Sequence, residues 1–129
     1  MSAAAVLDTS VFIAVEQGRG LSRSLPDQVG VSVVTLAELE LGVLMARDAD
    51  VRALRLTTLL RVREQASGLP IDERVSSAYA RLAAGELSAG RRPRVNDTWI
   101  AATAVVHGAE VWTQDDDFTA FQELDIIHV

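Results

Sequence analysis

Short apolar segments alternate along this chain with segments of helical character, and this alternation restricts the fold more than any other feature. The segments predicted as strands cover residues 3–7, 29–34, 69–71, 110–113 and 125–129. The segments predicted as helices cover residues 11–15, 35–47, 48–66, 72–87, 96–107 and 117–123. Strands that alternate with helices are joined by right-handed crossovers into a mostly parallel sheet. The pattern therefore predicts an α/β protein with helices on both faces of its sheet.

The chain has the size and composition of one domain. Its 129 residues, 49% of them hydrophobic, suffice for one core and predict a single domain over residues 1–129. The absence of cysteine excludes a disulfide framework, thiolate metal ligands and a cysteine nucleophile. The N-terminal region lacks the basic segment of a secretion signal, and no apolar stretch is long enough to cross a bilayer. We expect a cytoplasmic protein without a membrane segment.

Acidic residues follow the predicted strands at the points where the strands end. Ligands of parallel sheets bind beyond these carboxyl ends, where the strand order reverses. Asp8 directly follows the first strand, and its alternative role is that of a helix N-cap. Glu38 stands in the first turn of the helix after the second strand; its alternative role is a capping box with Thr35, three residues earlier. Glu40 points to another side of that helix and is the poorer candidate.

Asp97 shares a helix face with small residues, which predicts that its carboxylate points inward. Asn96 can cap this helix by itself, and positions 101, 104 and 108 on the same face are Ala, Ala and Gly. A carboxylate that points inward needs a partner, and no basic residue occurs between Arg94 and the C-terminus. A metal ion would serve as this partner.

Three consecutive acids, Asp115, Asp116 and Asp117, follow the predicted strand 110–113. They form either a solvated turn or part of a metal site, with Asp115 nearest the strand end and Asp117 auxiliary. Two unpaired carboxylates about 5 Å apart repel by roughly 3 kcal/mol at an effective dielectric near 20, so a cluster of acids is costly without a cation. Ligands that are all oxygen atoms suit Mg²⁺ or Mn²⁺ and disfavour zinc.

Several other phosphate chemistries are excluded by residues that the chain lacks. It contains no lysine, which excludes a P-loop and disfavours both a receiver domain and a haloacid-dehalogenase-like phosphatase. The two histidines, His107 and His128, are predicted to be structural. A formal net charge of −6 opposes binding of nucleic acid through the surface field, unless the acids are concentrated at a metal site. What remains is a metal that activates water for phosphodiester cleavage.

Four segments carry a resemblance to a known family. They read VLDTSVFIA (6–14), VSVVTLAELELG (31–42), NDTWIAATAVVHGAEVWTQDDDF (96–118) and DIIHV (125–129). In this order and spacing they resemble the PIN-domain family, and within it the VapC-type toxins of bacterial toxin–antitoxin pairs. The resemblance implies a three-layer sandwich with a parallel five-stranded sheet, Mg²⁺ or Mn²⁺ as cofactor, and endonucleolytic cleavage of RNA.

The resemblance also assigns roles to individual residues. It implies that the catalytic and metal-binding acids are Asp8, Glu38, Asp97 and Asp115, with Asp117 as an auxiliary metal ligand. It places Thr9 and Ser10 beside the site, and Thr113 where it would help to orient the acidic loop.

The same resemblance implies a homodimer that a small antitoxin inhibits. A segment of such an antitoxin packs along an apolar groove between helices and can place an arginine in the acidic pocket. The groove would be built from the predicted helices at residues 36–45 and 51–62. The alternative is that the leucines of these helices belong to the core, which we expect of most of them.

Alternatives remain for the basic loop and for the activity. Arg91, Arg92 and Arg94 lie just before Asp97, so they either bind substrate phosphates beside the metal or form a solvated loop. The acids are equally compatible with a DNA or flap-type nuclease. A catalytically silent module that keeps the fold and binds a partner protein is the main alternative from another functional class.

Overall fold

The computed structural model describes residues 4–129, which form five strands and five α-helices. The strands are β1 (Ala5–Leu7), β2 (Val29–Ser32), β3 (Ser67–Leu69), β4 (Glu110–Thr113) and β5 (Ile126–His128). The helices are α1 (Thr9–Glu16), α2 (Val33–Leu44), α3 (Ala49–Gln65), α4 (Glu73–Ser88) and α5 (Val95–Val106). Ala3, which we predicted as part of the first strand, lies outside the described residues.

The five strands form one sheet in the order β3-β2-β1-β4-β5, and every pair of neighbours is parallel. The chain builds outward from β1 to β2 and β3, returns through α4 and α5, and adds β4 on the other side of β1. Leu7 of β1 is in register with Trp112 of β4. The strand order therefore reverses between β1 and β4, the place where parallel sheets bind their ligands.

Side chains alternate between the two faces of the central strand, and each face is covered by helices. Val6 packs with Val111 and with the buried alanines of α5 on one face. Ala5 and Leu7 pack with Val11 of α1 on the other. The predicted α/β fold, with its five-stranded parallel sheet between two helical layers, is confirmed. No helix within residues 4–129 is long and apolar enough to span a membrane.

The starts of helices α1, α2 and α5 differ from the predicted ones, and α1 begins at Thr9 instead of residue 11. Helix α2 begins at Val33, two residues earlier than predicted, because the buried hydroxyl of Ser32 accepts a hydrogen bond from the Val34 amide at 3.1 Å and caps it. Helix α5 has Arg94 at its N-cap, so the predicted cap at Asn96 is wrong. Two β-branched valines at the start of α2 had suggested a longer second strand, but a capped helix start overrides that preference.

The short helix predicted at residues 117–123 is wrong, since this segment consists of turns and bends. Seven residues give a helix few internal hydrogen bonds to offset its costly nucleation. Phe118 and Phe121 instead bury their rings in the core beside α4 and α5. The third strand lies at Ser67–Leu69 rather than at 69–71.

Candidate active site

The four main acids line one cleft of about 560 Å³ at the carboxyl ends of β1 and β4. They come from four separate parts of the chain: the end of β1, the second turn of α2, the first turn of α5 and the loop after β4. The lining consists of Asp8, Thr9, Ser10, Ile13, Glu38, Arg94, Val95, Asn96, Asp97 and Asp115. The prediction that acids at strand ends would meet at one edge of the sheet therefore agrees with their positions.

Asp8 is buried and held by two hydroxyl groups. It occupies the N-cap position of α1, but its side chain makes no capping hydrogen bond, which excludes the cap as its role. Its Oδ2 instead accepts hydrogen bonds from the Ser10 hydroxyl at 2.6 Å and from the Thr113 hydroxyl at 2.8 Å. Ser10 also accepts from the Gln114 amide, so the ends of β1 and β4 are joined through this carboxylate and its partners.

Glu38 takes no part in a capping box, since α2 begins at Val33 and Ser32 caps it. Its Oε1 accepts a hydrogen bond from the Thr9 hydroxyl at 2.7 Å, and its Oε2 accepts one from the Asn96 side-chain amide at 3.3 Å. The Thr9 hydroxyl oxygen also lies 3.1 Å from the hydroxyl of buried Thr35. Glu38 is thus held in the cleft by residues of α1 and α5 instead of by its own helix.

The carboxyl group of Asp97 is half-buried and is affected by neighbouring charges. Burial raises the pKa of its carboxyl, and the charges of Asp8 and Asp115 add to this rise. The backbone amide of Thr119 and the charge of Arg94 act in the opposite direction and lower this pKa. Asp8 and Asp115 are thus close enough to Asp97 for their negative charges to act on its carboxyl group.

Arg94 is the partner of Asp97 that we did not foresee. Its Nη1 lies 3.5 Å from Asp97 Oδ2, and its Nη2 lies 3.6 Å from Asp115 Oδ2. A residue three positions before a helical carboxylate lies on the same helix face, so Arg94 can pair with Asp97. The inference that Asp97 lacks a basic partner is therefore wrong in this structure.

The loop after β4 orients Asp115 and leaves its two neighbours exposed. The Asp115 amide donates to the Thr113 hydroxyl at 3.0 Å, and the Asp117 amide donates to Asp115 Oδ1 at 2.8 Å. Asp117 contributes its backbone, because its carbonyl also accepts from Arg94, while its exposed side chain does not line the cleft. Asp116 is exposed as well.

The other two arginines of the basic loop point elsewhere. Arg91 forms an ion pair with Glu86, whose side chain is only 4% exposed, beside a second pocket on the outer side of α4. Arg92 is exposed and forms no ion pair within residues 4–129. Of the three arginines, Arg94 alone lines the cleft.

Some residues that hold the acids carried no signal that we recognised. Thr119 donates to Asp97 Oδ2 from its amide at 3.3 Å and from its hydroxyl at 3.4 Å. Thr119 is 22 positions from Asp97 along the chain, so no periodicity connects the two. Asn96 was assigned to a cap, although its side chain binds Glu38 across the cleft.

The cleft suits a hard cation in the chemistry of its donors. The acidic groups that line it are the carboxylates of Asp and Glu residues, which Mg²⁺ and Mn²⁺ prefer as ligands. Yet no set of three or more Asp, Glu or His side chains in the described part of the chain is arranged to hold a metal ion as it stands. The guanidinium of Arg94 lies between two of these acids.

Comparison with known proteins identifies the family. Residues 5–124 match the PIN domain. This chain belongs to the PIN domain family. The PIN domain thus covers the whole sheet except the last strand, and it contains all four acids of the cleft.

Within the PIN domain family, the chain is a member of the VapC ribonucleases of VapBC toxin–antitoxin systems. It is 50% identical to ribonuclease VapC5 of Mycobacterium tuberculosis, over 98% of this chain and 96% of that protein. It is 44% identical to ribonuclease VapC4 of the same organism, over 97% and 96% respectively. The crystal structure of VapBC-5 from M. tuberculosis contains a chain with 46% identity and a TM-score of 0.85, over 98% of this chain and 99% of that one.

Proposed function

We propose that this PIN-domain protein is a toxin that cleaves cellular RNA by metal-dependent hydrolysis, with Asp8, Glu38, Asp97 and Asp115 as its catalytic acids. One observation carries the proposal: four carboxylates from four separate segments line a single cleft at the strand-order reversal. Buried and partly buried carboxylates that repel one another are costly unless a cation compensates them. The names of the VapC relatives support ribonuclease activity.

The acids would bind Mg²⁺ or Mn²⁺ through the oxygen atoms that their neighbours leave free. Ser10 and Thr113 hold Oδ2 of Asp8, and Thr119 holds Oδ2 of Asp97, so Oδ1 of each acid remains for a ligand role. When bound, the ion supplies activation of a water molecule and stabilisation of the charge that develops on phosphate. The role of the hydroxyl groups is to fix the orientation of the acids, as outer partners of metal ligands do. Asp117 is the weaker candidate ligand, since its side chain lies outside the cleft.

RNA would reach the cleft along its rim, which is formed by the start of α5. Arg94 lines the cleft and is half-exposed, so its guanidinium lies within reach of incoming phosphate oxygens although it also pairs with Asp97 and Asp115. Arg92, two residues earlier, would add a longer-range attraction, whereas Arg91 is engaged by Glu86. Recognition of the RNA itself would rest on its shape and on unpaired bases.

A cognate antitoxin is the expected protein partner, because the similar solved structure of VapBC-5 is of a member of a family of toxin–antitoxin systems. The groove that suits it has a volume of about 550 Å³ and adjoins the acidic cleft through Thr9, Ile13 and Glu38. Leu41 of α2 and Met45, the C-cap residue of this helix, line it and are 59% and 72% exposed. Helix α1 contributes to this groove together with α2 and α3, whereas the sequence had suggested α2 and α3 alone. A homodimer that acts in the cytoplasm stays a prediction.

The proposal is tested by neutralising one acid at a time. Asp8→Asn and Asp97→Asn should each abolish Mn²⁺-dependent cleavage of RNA, while circular dichroism shows a folded protein. Asp50→Asn is the matched control, because it makes the same charge change in the exposed first turn of α3 and should keep full activity. Full activity of either site variant would refute the assignment of the acids.

Two further outcomes separate the alternatives. A catalytically silent binding module would show no rise in melting temperature when the wild-type protein is titrated with Mn²⁺. A nuclease that prefers DNA would cleave single-stranded or flap DNA faster than RNA of the same sequence under the same conditions. Either result would contradict a metal-dependent ribonuclease.

A further inference from the structure

We infer that Arg94 is an internal counter-ion of the acidic cleft, which a divalent cation must displace in order to bind Asp97 and Asp115 together. The inference rests on the proposed function, because it concerns the affinity of the same acids for a metal. Arg94 would thus compete with the metal ion for these two carboxylates.

The side chain of Arg94 lies between the two acids. Its two terminal nitrogens are 3.5 Å from Asp97 Oδ2 and 3.6 Å from Asp115 Oδ2, and Nη1 also donates to the carbonyl of Asp117. One guanidinium thus connects the start of α5 with the loop after β4. Because its donors form a planar fork, it can serve two carboxylates at once.

The backbone of Arg94 is fixed independently of these contacts. Arg94 is the N-cap residue of α5, and its carbonyl accepts hydrogen bonds from the amide and from the hydroxyl of Thr98, at 2.9 Å and 2.6 Å. Thr98 is fully buried. The side chain can therefore leave the acids while its root stays at the edge of the cleft.

Competition follows from charge and from shared atoms. A divalent cation held by both acids would use the carboxylates that Arg94 now compensates, and two cations cannot share that space without strong repulsion. The described residues contain no ready-made set of three metal-binding side chains, which agrees with an arginine placed between two of the acids. Once displaced, the guanidinium would remain tethered at the mouth of the cleft, where a phosphate of the substrate can take the place of the carboxylates.

The decisive measurement is the Mn²⁺ affinity of Arg94→Gln compared with Arg92→Gln, by isothermal titration calorimetry. Both variants remove one positive charge from the same loop, but only Arg94 contacts the acids. We expect Arg94→Gln to bind Mn²⁺ about threefold to tenfold more tightly than the wild type, since two half-exposed ion pairs no longer oppose the metal. Arg92→Gln should stay within about twofold of the wild type, because interactions of exposed charges are screened.

Melting temperatures provide a second readout. Without metal, Arg94→Gln should melt at a lower temperature than Arg92→Gln, because the acids lose their counter-ion. The rise in melting temperature on saturation with Mn²⁺ should be larger for Arg94→Gln. Arg94→Lys keeps the charge but not the fork, and it should lie between the wild type and Arg94→Gln in Mn²⁺ affinity.

The opposite result overturns the inference. Weaker or unchanged Mn²⁺ binding by Arg94→Gln would mean that Arg94 positions the acids or has no effect on the metal. If the variants do not fold, the wild-type protein decides: the ¹⁵N resonance of Arg94 Nε should shift on titration with Mg²⁺, and the absence of a shift at saturation would refute displacement. Retention of Mn²⁺ binding by Asp97→Asn contradicts the proposed function, whereas loss in Asp97→Asn with no change in Arg94→Gln contradicts this inference alone.

Discussion

Thr113→Val removes one hydroxyl group at the point where β1 and β4 end. This hydroxyl donates to Asp8 Oδ2 at 2.8 Å, accepts from the Asp115 amide at 3.0 Å and lies 3.2 Å from the Ser10 hydroxyl. Thr113 is fully buried, and valine has nearly the same shape. The substitution therefore tests the polar contacts of the hydroxyl with little change in packing.

The expected loss of stability follows from these contacts. A hydrogen bond to a charged group contributes about 1.5–3 kcal/mol, and a buried donor or acceptor left without a partner costs about 1–3 kcal/mol. Asp8 keeps Ser10 as a partner, and Asp115 is only partly buried, so the two contributions are not fully additive. We expect the free energy of unfolding to fall by about 2–4 kcal/mol, which corresponds to roughly 10 °C in melting temperature for a chain of this size.

Urea unfolding without metal measures this loss, and Thr103→Val is the matched control. Thr103 is also fully buried, but its hydroxyl donates to the carbonyl of Trp99 within α5, at 2.9 Å. Such a bond within a helix adds little, so Thr103→Val should change the stability by less than about 1 kcal/mol. If Thr113→Val is as stable as Thr103→Val, the hydroxyl does not hold the two strand ends together.

Two further predictions concern ionisable groups. Because burial raises the pKa of Asp97, the folded protein binds a proton at this carboxyl group more tightly than the unfolded chain does. The stabilisation of the fold by this proton is fully present below the ordinary pKa near 4, and it is lost as the pH rises through the higher pKa of the folded protein. In urea unfolding of the metal-free proteins between pH 4 and 7, the wild type should therefore become less stable relative to Asp97→Asn as the pH rises. A difference in the free energy of unfolding that stays constant, or that changes in the opposite direction, would contradict this prediction. For the Glu86–Arg91 pair, Arg91→Ala should lower the free energy of unfolding by about 1–3 kcal/mol, because it leaves a buried carboxylate without its cation. Glu86→Gln leaves only an exposed arginine and should lower it less. Equal losses of stability in thermal unfolding would argue against the pair.

The sequence was sufficient for the fold and for the meeting of the four acids, because both depend on patterns along the chain. Alternating apolar segments and helices predict a parallel sheet, and the carboxyl ends of its strands must lie at one edge. Asp8 and Asp115 each follow a strand within two residues, so their meeting depends only on β1 and β4 becoming neighbours.

Contacts between segments that are distant in sequence were beyond prediction. Glu38 fitted a capping box in spacing, yet its partners are Thr9 and Asn96, 29 and 58 positions away. Thr119 binds Asp97 from a segment that we had assigned to a helix. Such pairs depend on the depth at which α2 and α5 sit against the sheet, and hydrophobic periodicity does not encode that depth. Arg94 was within reach of local reasoning, since its spacing of three from Asp97 on a helix is a known pairing distance.

The position of β4 in the sheet also has a consequence for how the protein is made. β4 is the fourth strand along the chain but pairs directly with β1. Thr113, which binds Asp8, and Asp115 are therefore synthesised long after Asp8. A nascent chain that has emerged only as far as α4 carries Asp8 and Glu38 but neither Asp97 nor the acidic loop. The cleft that contains the proposed catalytic acids therefore cannot form until α5 and the loop after β4 have been synthesised.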